Sequence, residues 1–203
     1  DGQRVTMASQ MSEADETVSS LYSVKSEQAT MLSFDTYNYL VHYFGQPQGS
    51  MSDDPNGTLG GDYEFIISSA SAERIELKGK KYGNRIVMKA LTEDQTWKQY
   101  LTKIKKVEDD AFFYEYDLLM DGLYTGQMIR SNYTFIVTYY DEIGKVHQKT
   151  VPFMFTADGL RFHEPVTIDG QTMQNFVWKN ELISFVCTDE GATGVKLAGV
   201  YTA

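Results

Sequence analysis

The sequence is poor in the residues that mark most metal-binding, redox and nucleic-acid-binding chains. One cysteine among 203 residues, Cys187, makes an internal disulfide impossible and cannot by itself build a Cys/His zinc site. Its place in the apolar run LISFVC reads as a buried small hydrophobe rather than a reactive thiol. The histidines His42, His147 and His163 are widely spaced, and none forms a ligand pair at helical separation. His163-Glu164 opens like a zinc-peptidase motif, but Thr167 stands where the second histidine would be and Pro165 opposes a helix. The acidic stretch SDDPNGTLGGD has Ser52 where a calcium loop ending at Gly57 would need its first aspartate, so solvated loop acids are the expected reading. No metal and no cofactor is expected.

Basic residues are outnumbered as well. Eighteen Lys and Arg against 28 Asp and Glu give a net charge of −10 and a pI near 4.7. Phosphate backbones and anionic membrane surfaces both require clustered cations, so neither is an expected partner. No apolar run of about 18 residues is present, and DGQRVTMASQ lacks the basic and apolar regions of a signal peptide. A soluble mature chain or a fragment is expected. Catalytic motifs are missing too: there is no G-x-S-x-G elbow, and GTLGGD has neither the Lys-Ser/Thr ending nor the following helix of a phosphate loop. A glycosidase needs only two carboxylates, which spacing does not decide. The pairs Asp109-Asp110, Asp141-Glu142 and Asp189-Glu190 fall near expected turns, where solvation is their ordinary role.

What the chain does have is a globular composition, 42% hydrophobic and 13% aromatic, and many strand signals. Asp-Gly pairs at 1–2, 121–122, 158–159 and 169–170 favour type I′ hairpins, because both central residues must take positive φ. A turn at Asp1-Gly2 implies a partner strand upstream. Strands are expected at YEFIIS, RIELKG, RIVMKAL, AFFYEYDLLM, NYTFIVTYY, VHQKTVPFMF, NFVWKN and ELISFVC, with Pro152 marking an edge or a bulge. Alternation in YLVHYF would put Tyr39, Val41 and Tyr43 on one face of a strand and Leu40, His42 and Phe44 on the other. One helix is expected from Thr92, with Gln95 completing a capping box and Trp97, Tyr100, Leu101, Ile104 and Val107 as its apolar face. Residues 8–20 and 45–62 read as loops, the second long enough to serve as a rim.

An approximate repeat emerges at an offset of 121, which sets Leu32 against Phe153, Phe34 against Phe155, Val41 against Phe162 and His42 against His163. Downstream, YEFII, RIELKG and RIVMKAL match NFVWK, ELISFVC and VKLAGV in pattern. The division that follows is 1–91 for a first β half, 92–110 for a connecting helix and 111–203 for a second β half. Aromatic residues are the one positive sign of a binding surface, since flat rings can stack on sugars or line an apolar pocket. Tyr43, Phe44 and Trp178 are the candidate ligand-binding residues. Lys78, Lys80, Lys81 and Arg85 surround the expected turn at Tyr82-Gly83-Asn84 and read as a solvated hairpin tip or, less simply, an anion site.

The runs LSFDTYNYLVHYF, GGDYEFIISSASAERIELKGKKYGNRIVMKAL and PFMFTADGLRFHEP resemble an uncharacterised family of exported Bacteroidetes lipoproteins known as a domain of unknown function. The resemblance implies a lipidated cysteine on the precursor, absent from this chain, and a place on the outer membrane, in the periplasm or at the cell surface. The run from Gly60 to Leu91 also resembles lipocalin-type bacterial domains, although no early Gly-x-Trp is present. The expected fold is therefore mainly β, with antiparallel meanders in two lipocalin-like barrels or half-barrels joined by a helix. Two immunoglobulin-like sandwiches fit the same strand spacing. The expected function is noncatalytic: an accessory envelope lipoprotein that binds a small molecule, a glycan or an envelope protein. A structural subunit of an outer-membrane uptake complex is the alternative, and an unrecognised hydrolase the third reading.

Overall fold

The computed structural model describes residues 3–26, 28–47 and 59–201. The Asp1-Gly2 turn and residues 48–58 of the expected 45–62 loop lie outside the described residues. The chain divides into two compact units, Asp1–Lys98 and Gln99–Ala203. Both are antiparallel β structures.

The first unit is a six-stranded meander in sequence order: β1 Gln3–Met7, β2 Val18–Ser26, β3 Thr30–Phe34, β4 Glu64–Ala70, β5 Arg74–Gly79 and β6 Arg85–Lys89. The sheet is open, with β1 and β6 at its edges. Its core is small: Phe34, Phe65 and Leu77 are buried, with Val5, Met7, Tyr22, Leu32, Val41, Ile67 and Ile75 packed around them.

Between β3 and β4 the alternating run YLVHYF is not a strand. Tyr39–His42 forms one helical turn, α1, continued by a 3-10 turn over Tyr43–Gly45. The reason is Asn38, which is fully buried and caps α1 by accepting the Leu40 N–H at 3.1 Å. Its amide also donates to Ser20 Oγ at 3.2 Å, so the cap is anchored to β2. A local cap overrides the alternation. This overturns the pairing of Val41 with Phe162 and of His42 with His163, because the latter two lie in a strand. The offset of 121 holds only where β3 is set against the second unit's Val146–Phe155 strand.

The second unit is a closed eight-stranded barrel: β7 Glu115–Met120, β8 Leu123–Ser131, β9 Thr134–Tyr140, β10 Val146–Phe155, β11 Gly159–Ile168, β12 Gln171–Lys179, β13 Ser184–Cys187 and β14 Val195–Val200. Closure rests on the pairing of β7 with β14, from Glu115 opposite Val200 to Met120 opposite Val195. A closed barrel, not a sandwich, is the answer for this half. Asp121-Gly122 and Asp169-Gly170 both take the positive φ pairs that a type I′ turn demands. Asp158-Gly159 does not: its turn is held instead by Thr156, whose Oγ1 accepts the Gly159 N–H at 3.1 Å. Pro152 sits opposite Thr134 in the β9 ladder, just before the β11 ladder begins at Phe153. The Phe153 N–H donates to Tyr133, so the Pro152 nitrogen faces the β11 side, where no ladder bond is lost.

The helix α2 runs Trp97–Asp110, five residues later than the Thr92 cap implies. Thr92 only closes a turn by accepting the Gln95 N–H at 3.0 Å. Ile104 and Val107 bury into the barrel's core with Tyr100 and Leu101 against it, whereas Trp97, expected on that face, is 43% exposed.

Inward residues form one large buried core in the barrel. Tyr116, Leu118, Met128, Phe135, Val137, Phe153, Phe155, Phe162 and Phe185 are each at most 1% exposed. Phe135 and Phe153 stack at 4.3 Å between centroids, and the Tyr116 ring meets Phe135 edge-on at 5.6 Å. Eight strands enclose just enough space for side chains, and here aromatics take it. The Tyr116 hydroxyl donates to the Ala111 carbonyl at the end of α2. Burial pushes its pKa up to about 12.

A phenol whose pKa rises on folding favours the folded state below its unfolded pKa of 10 and loses that contribution as pH climbs toward 12. The loss should be about 3 kcal/mol. In denaturant titrations across that range, Tyr116→Phe should show a shallower alkaline decline than wild type; parallel declines would assign the alkaline sensitivity elsewhere.

Candidate functional site

A cleft of about 290 Å³ lies in the first unit. It is lined by Asp62, Tyr63 and Glu64 at the start of β4, by Lys80, Lys81 and Tyr82 from the β5–β6 hairpin, and by Gly45 and Gly61.

Asp62 organises this cleft. It is 7% exposed, and one carboxylate oxygen accepts the Lys81 and Tyr82 N–H groups at 2.8 and 3.0 Å. The other accepts the Asn84 amide at 2.8 Å. Burial opposes its ionisation, but the donors of Tyr82, Lys81 and Asn84 outweigh it and hold the carboxyl below its ordinary range. Gly79 is required by this arrangement, because a Cβ there would collide with the Asp62 carboxylate. A hairpin that would otherwise end in unpaired N–H groups is thus closed on an aspartate from outside it.

Two tyrosines give the cleft its character. Tyr63 is 45% exposed and Tyr82 is 44% exposed. Behind Tyr63 stands His42, stacked on it at 4.9 Å and 21°, and Tyr37 lies on His42 in turn at 5.4 Å. The Asn38 N–H donates to His42 Nδ1 at 3.1 Å, fixing the imidazole from within its own turn. The Lys81 ammonium lies 4.8 Å from the centre of the Tyr82 ring. Its side-chain hydrogen bond to Tyr82 holds its pKa above the ordinary value. Lys80 pairs with Glu64 at 3.2 Å. The lining therefore carries two cations and two carboxylates, a balance that favours a neutral polar ligand over an ion.

Tyr43 and Phe44 are not among the residues that line this cleft. Tyr43 and Phe44 lie in the first unit's 3-10 turn, edge to face at 5.4 Å, and the Phe44 carbonyl accepts the Gly61 N–H at 2.9 Å. Trp178 lies on β12 of the second unit, half-buried against Phe185 at 4.8 Å and Phe113 at 6.2 Å. The rings that do line a cleft, Tyr63 and Tyr82, are read from sequence as the first residue of a strand and part of a turn. Only their nearness to Gly60–Gly61 and Gly83 could have pointed to them, since glycine pairs allow close backbone approach.

The second unit contains a similar polar knot. Asp189 accepts the Gln174 and Asn175 N–H groups at 2.6 and 2.8 Å and the Asn175 amide at 2.7 Å. Burial opposes its ionisation, and the Asn175 and Gln174 donors outweigh it, so its pKa is lowered. Cys187 points its thiol at the same carboxylate at 3.4 Å. Burial raises that thiol to about 11, which makes it unreactive near neutrality. Among the described residues no group of three His, Cys, Asp or Glu is placed to hold a metal, and no helix is long and apolar enough to cross a membrane.

Residues 1–180 match the model of the family described as domain of unknown function DUF4302. The chain belongs to that family. The matched region stops before β13 and β14, the strands that complete the barrel in this DUF4302 protein. No curated protein and no solved structure matches the chain.

Asp62→Asn should leave at least one backbone N–H of the hairpin poorly satisfied and cost about 2 kcal/mol in chemical denaturation at neutral pH. Because its folded pKa is depressed, Asp62 stabilises the native state above the ordinary carboxylate range and loses that effect as pH falls through the lowered value. The gap between wild type and variant should accordingly narrow in acid. A gap that stays constant down the acid limb would show that the carboxylate's charge is not what holds the hairpin.

Proposed function

We propose that this DUF4302 protein is a noncatalytic binding module of the bacterial cell envelope and that its first unit recognises a glycan. One observation carries the reading: a cleft faced by Tyr63 and Tyr82 whose lining charges cancel. Sugars present flat C–H faces to aromatic rings and a ring of hydroxyls to mixed donors and acceptors, which Lys80, Glu64 and the backbone around Asp62 supply. The volume, about 290 Å³, is at the lower limit of ligand pockets and admits about one sugar ring. The cleft's lining is charged and aromatic rather than aliphatic, which favours a sugar over a lipid chain.

The envelope setting and a lipid anchor on the precursor follow from the resemblance of LSFDTYNYLVHYF and the Gly60–Leu91 run to exported Bacteroidetes lipoproteins. A structural role within an uptake complex is the second reading, supported by the open sheet edge of the first unit.

The test is thermal unfolding of the chain against mono- and oligosaccharides, followed by calorimetry on any that raise the midpoint. Tyr82→Ala preserves the backbone N–H that Asp62 accepts while deleting the ring. It should weaken a binding glycan about tenfold with little change in the unliganded midpoint. Glycans that shift neither protein, or that bind the variant as well as wild type, would remove the cleft from consideration.

A further inference from the structure

Among the described strands of the first unit, the edge strand β6 is the one with every residue exposed, its apolar residues included: Ile86 39%, Val87 38% and Met88 47%. Its register with β5 sets Arg85 opposite Lys78, Ile86 opposite Leu77, Val87 opposite Glu76, Met88 opposite Ile75 and Lys89 opposite Arg74.

The hydrogen-bond phase of this ladder is fixed at both ends. Gly79 N–H donates to the Asn84 carbonyl at 2.7 Å, and Ala90 N–H donates to the Glu73 carbonyl at 3.0 Å. Bonded and non-bonded pairs alternate along an antiparallel ladder, so Ile86 and Met88 bond inward to β5. The N–H and C=O groups of Arg85, Val87 and Lys89 point outward, and no strand among the described residues meets them. Such an edge is a template for another strand.

The two faces of the edge say what that strand must carry. On one face Ile86 and Met88 continue the apolar row of the buried Leu77 and the partly buried Ile75, so the core runs out uncovered at the edge. On the other, Arg74, Lys78, Arg85 and Lys89 stand around the single acid Glu76. Glu76 already pairs with Arg74 at 2.7 Å and with Arg85 at 3.6 Å. Lys78 and Lys89 have no carboxylate partner among the described residues. On a chain of net charge −10 this is a cationic strip beside an apolar one.

We infer that β6 receives an extended segment of another polypeptide, by strand addition, in which apolar and acidic residues alternate. The apolar residues would cover Ile86 and Met88, and the acidic ones would face Arg85 and Lys89. A second copy of this chain is the wrong occupant for a physical reason. Two β6 strands paired antiparallel about Val87 place Arg85 of one opposite Lys89 of the other, and like charges facing across a ladder are destabilising. This inference concerns a surface separate from the Tyr63/Tyr82 cleft and does not rest on the glycan reading.

The probe is a short labelled peptide of alternating valine and glutamate, tested by fluorescence anisotropy with the whole chain beside its valine and lysine counterpart. The glutamate peptide should bind and the lysine peptide should not. Val87→Pro deletes an outward N–H without breaking a β5 bond, so it should abolish binding while the circular dichroism and unfolding midpoint hold. Should that variant misfold, Arg85→Glu with Lys89→Glu is the substitute, expected to weaken the glutamate peptide at least about tenfold and to admit the lysine peptide. Amide exchange at Val87 and Lys89 should slow when the glutamate peptide is added. Equal binding of both peptides, binding unaffected by either variant, or unchanged exchange at those amides would overturn the inference. So would a dimer in sedimentation that Val87→Pro dissolves, which would make the second copy the occupant.

Discussion

The pairing of β7 with β14 is the contact on which the second unit depends. Six residues on each strand form it, and it joins the first strand of the barrel to the last. Once that seam is made, no strand has a free edge, and every inward side chain faces another across a space of fixed width. Aromatic residues supply much of that core, because a few large rings occupy the volume that eight strands enclose. The first unit has the same meander order but no such seam. Its sheet ends at β1 and β6, its core cluster among the described residues centres on Phe34, Phe65 and Leu77, and part of that core's apolar row emerges at the β6 edge. The two units therefore share a meander and differ in closure, one being a closed barrel and the other an open sheet.

Both units solve one problem in the same way. A meander leaves backbone N–H groups wherever a hairpin twists out of register, and burying them unpaired is costly. Asp62 takes the N–H groups of Lys81 and Tyr82, and Asp189 takes those of Gln174 and Asn175. Each carboxylate also accepts a side-chain amide, from Asn84 and from Asn175. These aspartates stay ionised by virtue of their donors, and so act as fixed negative struts rather than acids. In the first unit the strut also builds the cleft, since it holds the hairpin that carries Tyr82 and Lys81 against the start of β4.

The β character, most strands and the two type I′ turns at Asp121 and Asp169 were legible in residue pattern, because each depends on a few adjacent residues. RIELKG and VHQKTVPFMF match β5 and β10 end to end. What pattern missed depended on distant partners. YLVHYF alternates like a strand, yet Asn38 turns it into α1 because Ser20 on β2 anchors the cap. Thr92 has the spacing of a helix cap, yet it closes only a turn with Gln95, and α2 starts at Trp97. The cleft was hidden for the same reason: Asp62 reads as one loop acid among many until the hairpin at Lys81 and Tyr82 is brought to it. Ring type alone does not separate Tyr63 and Tyr82, which line the cleft, from the other aromatic residues of the chain.

The position of the barrel's seam also sets an order of events during synthesis. Contacts in the first unit run between neighbouring strands and can form as the chain emerges, whereas the barrel cannot close until β14, close to the end of the described chain, is available. Until then β7 waits with a bare edge and the aromatic interior stays open to water, a state prone to wrong pairings. Shortening the chain by its last strand would thus do harm out of proportion to the few residues removed, because it would turn a sealed barrel into a second open sheet.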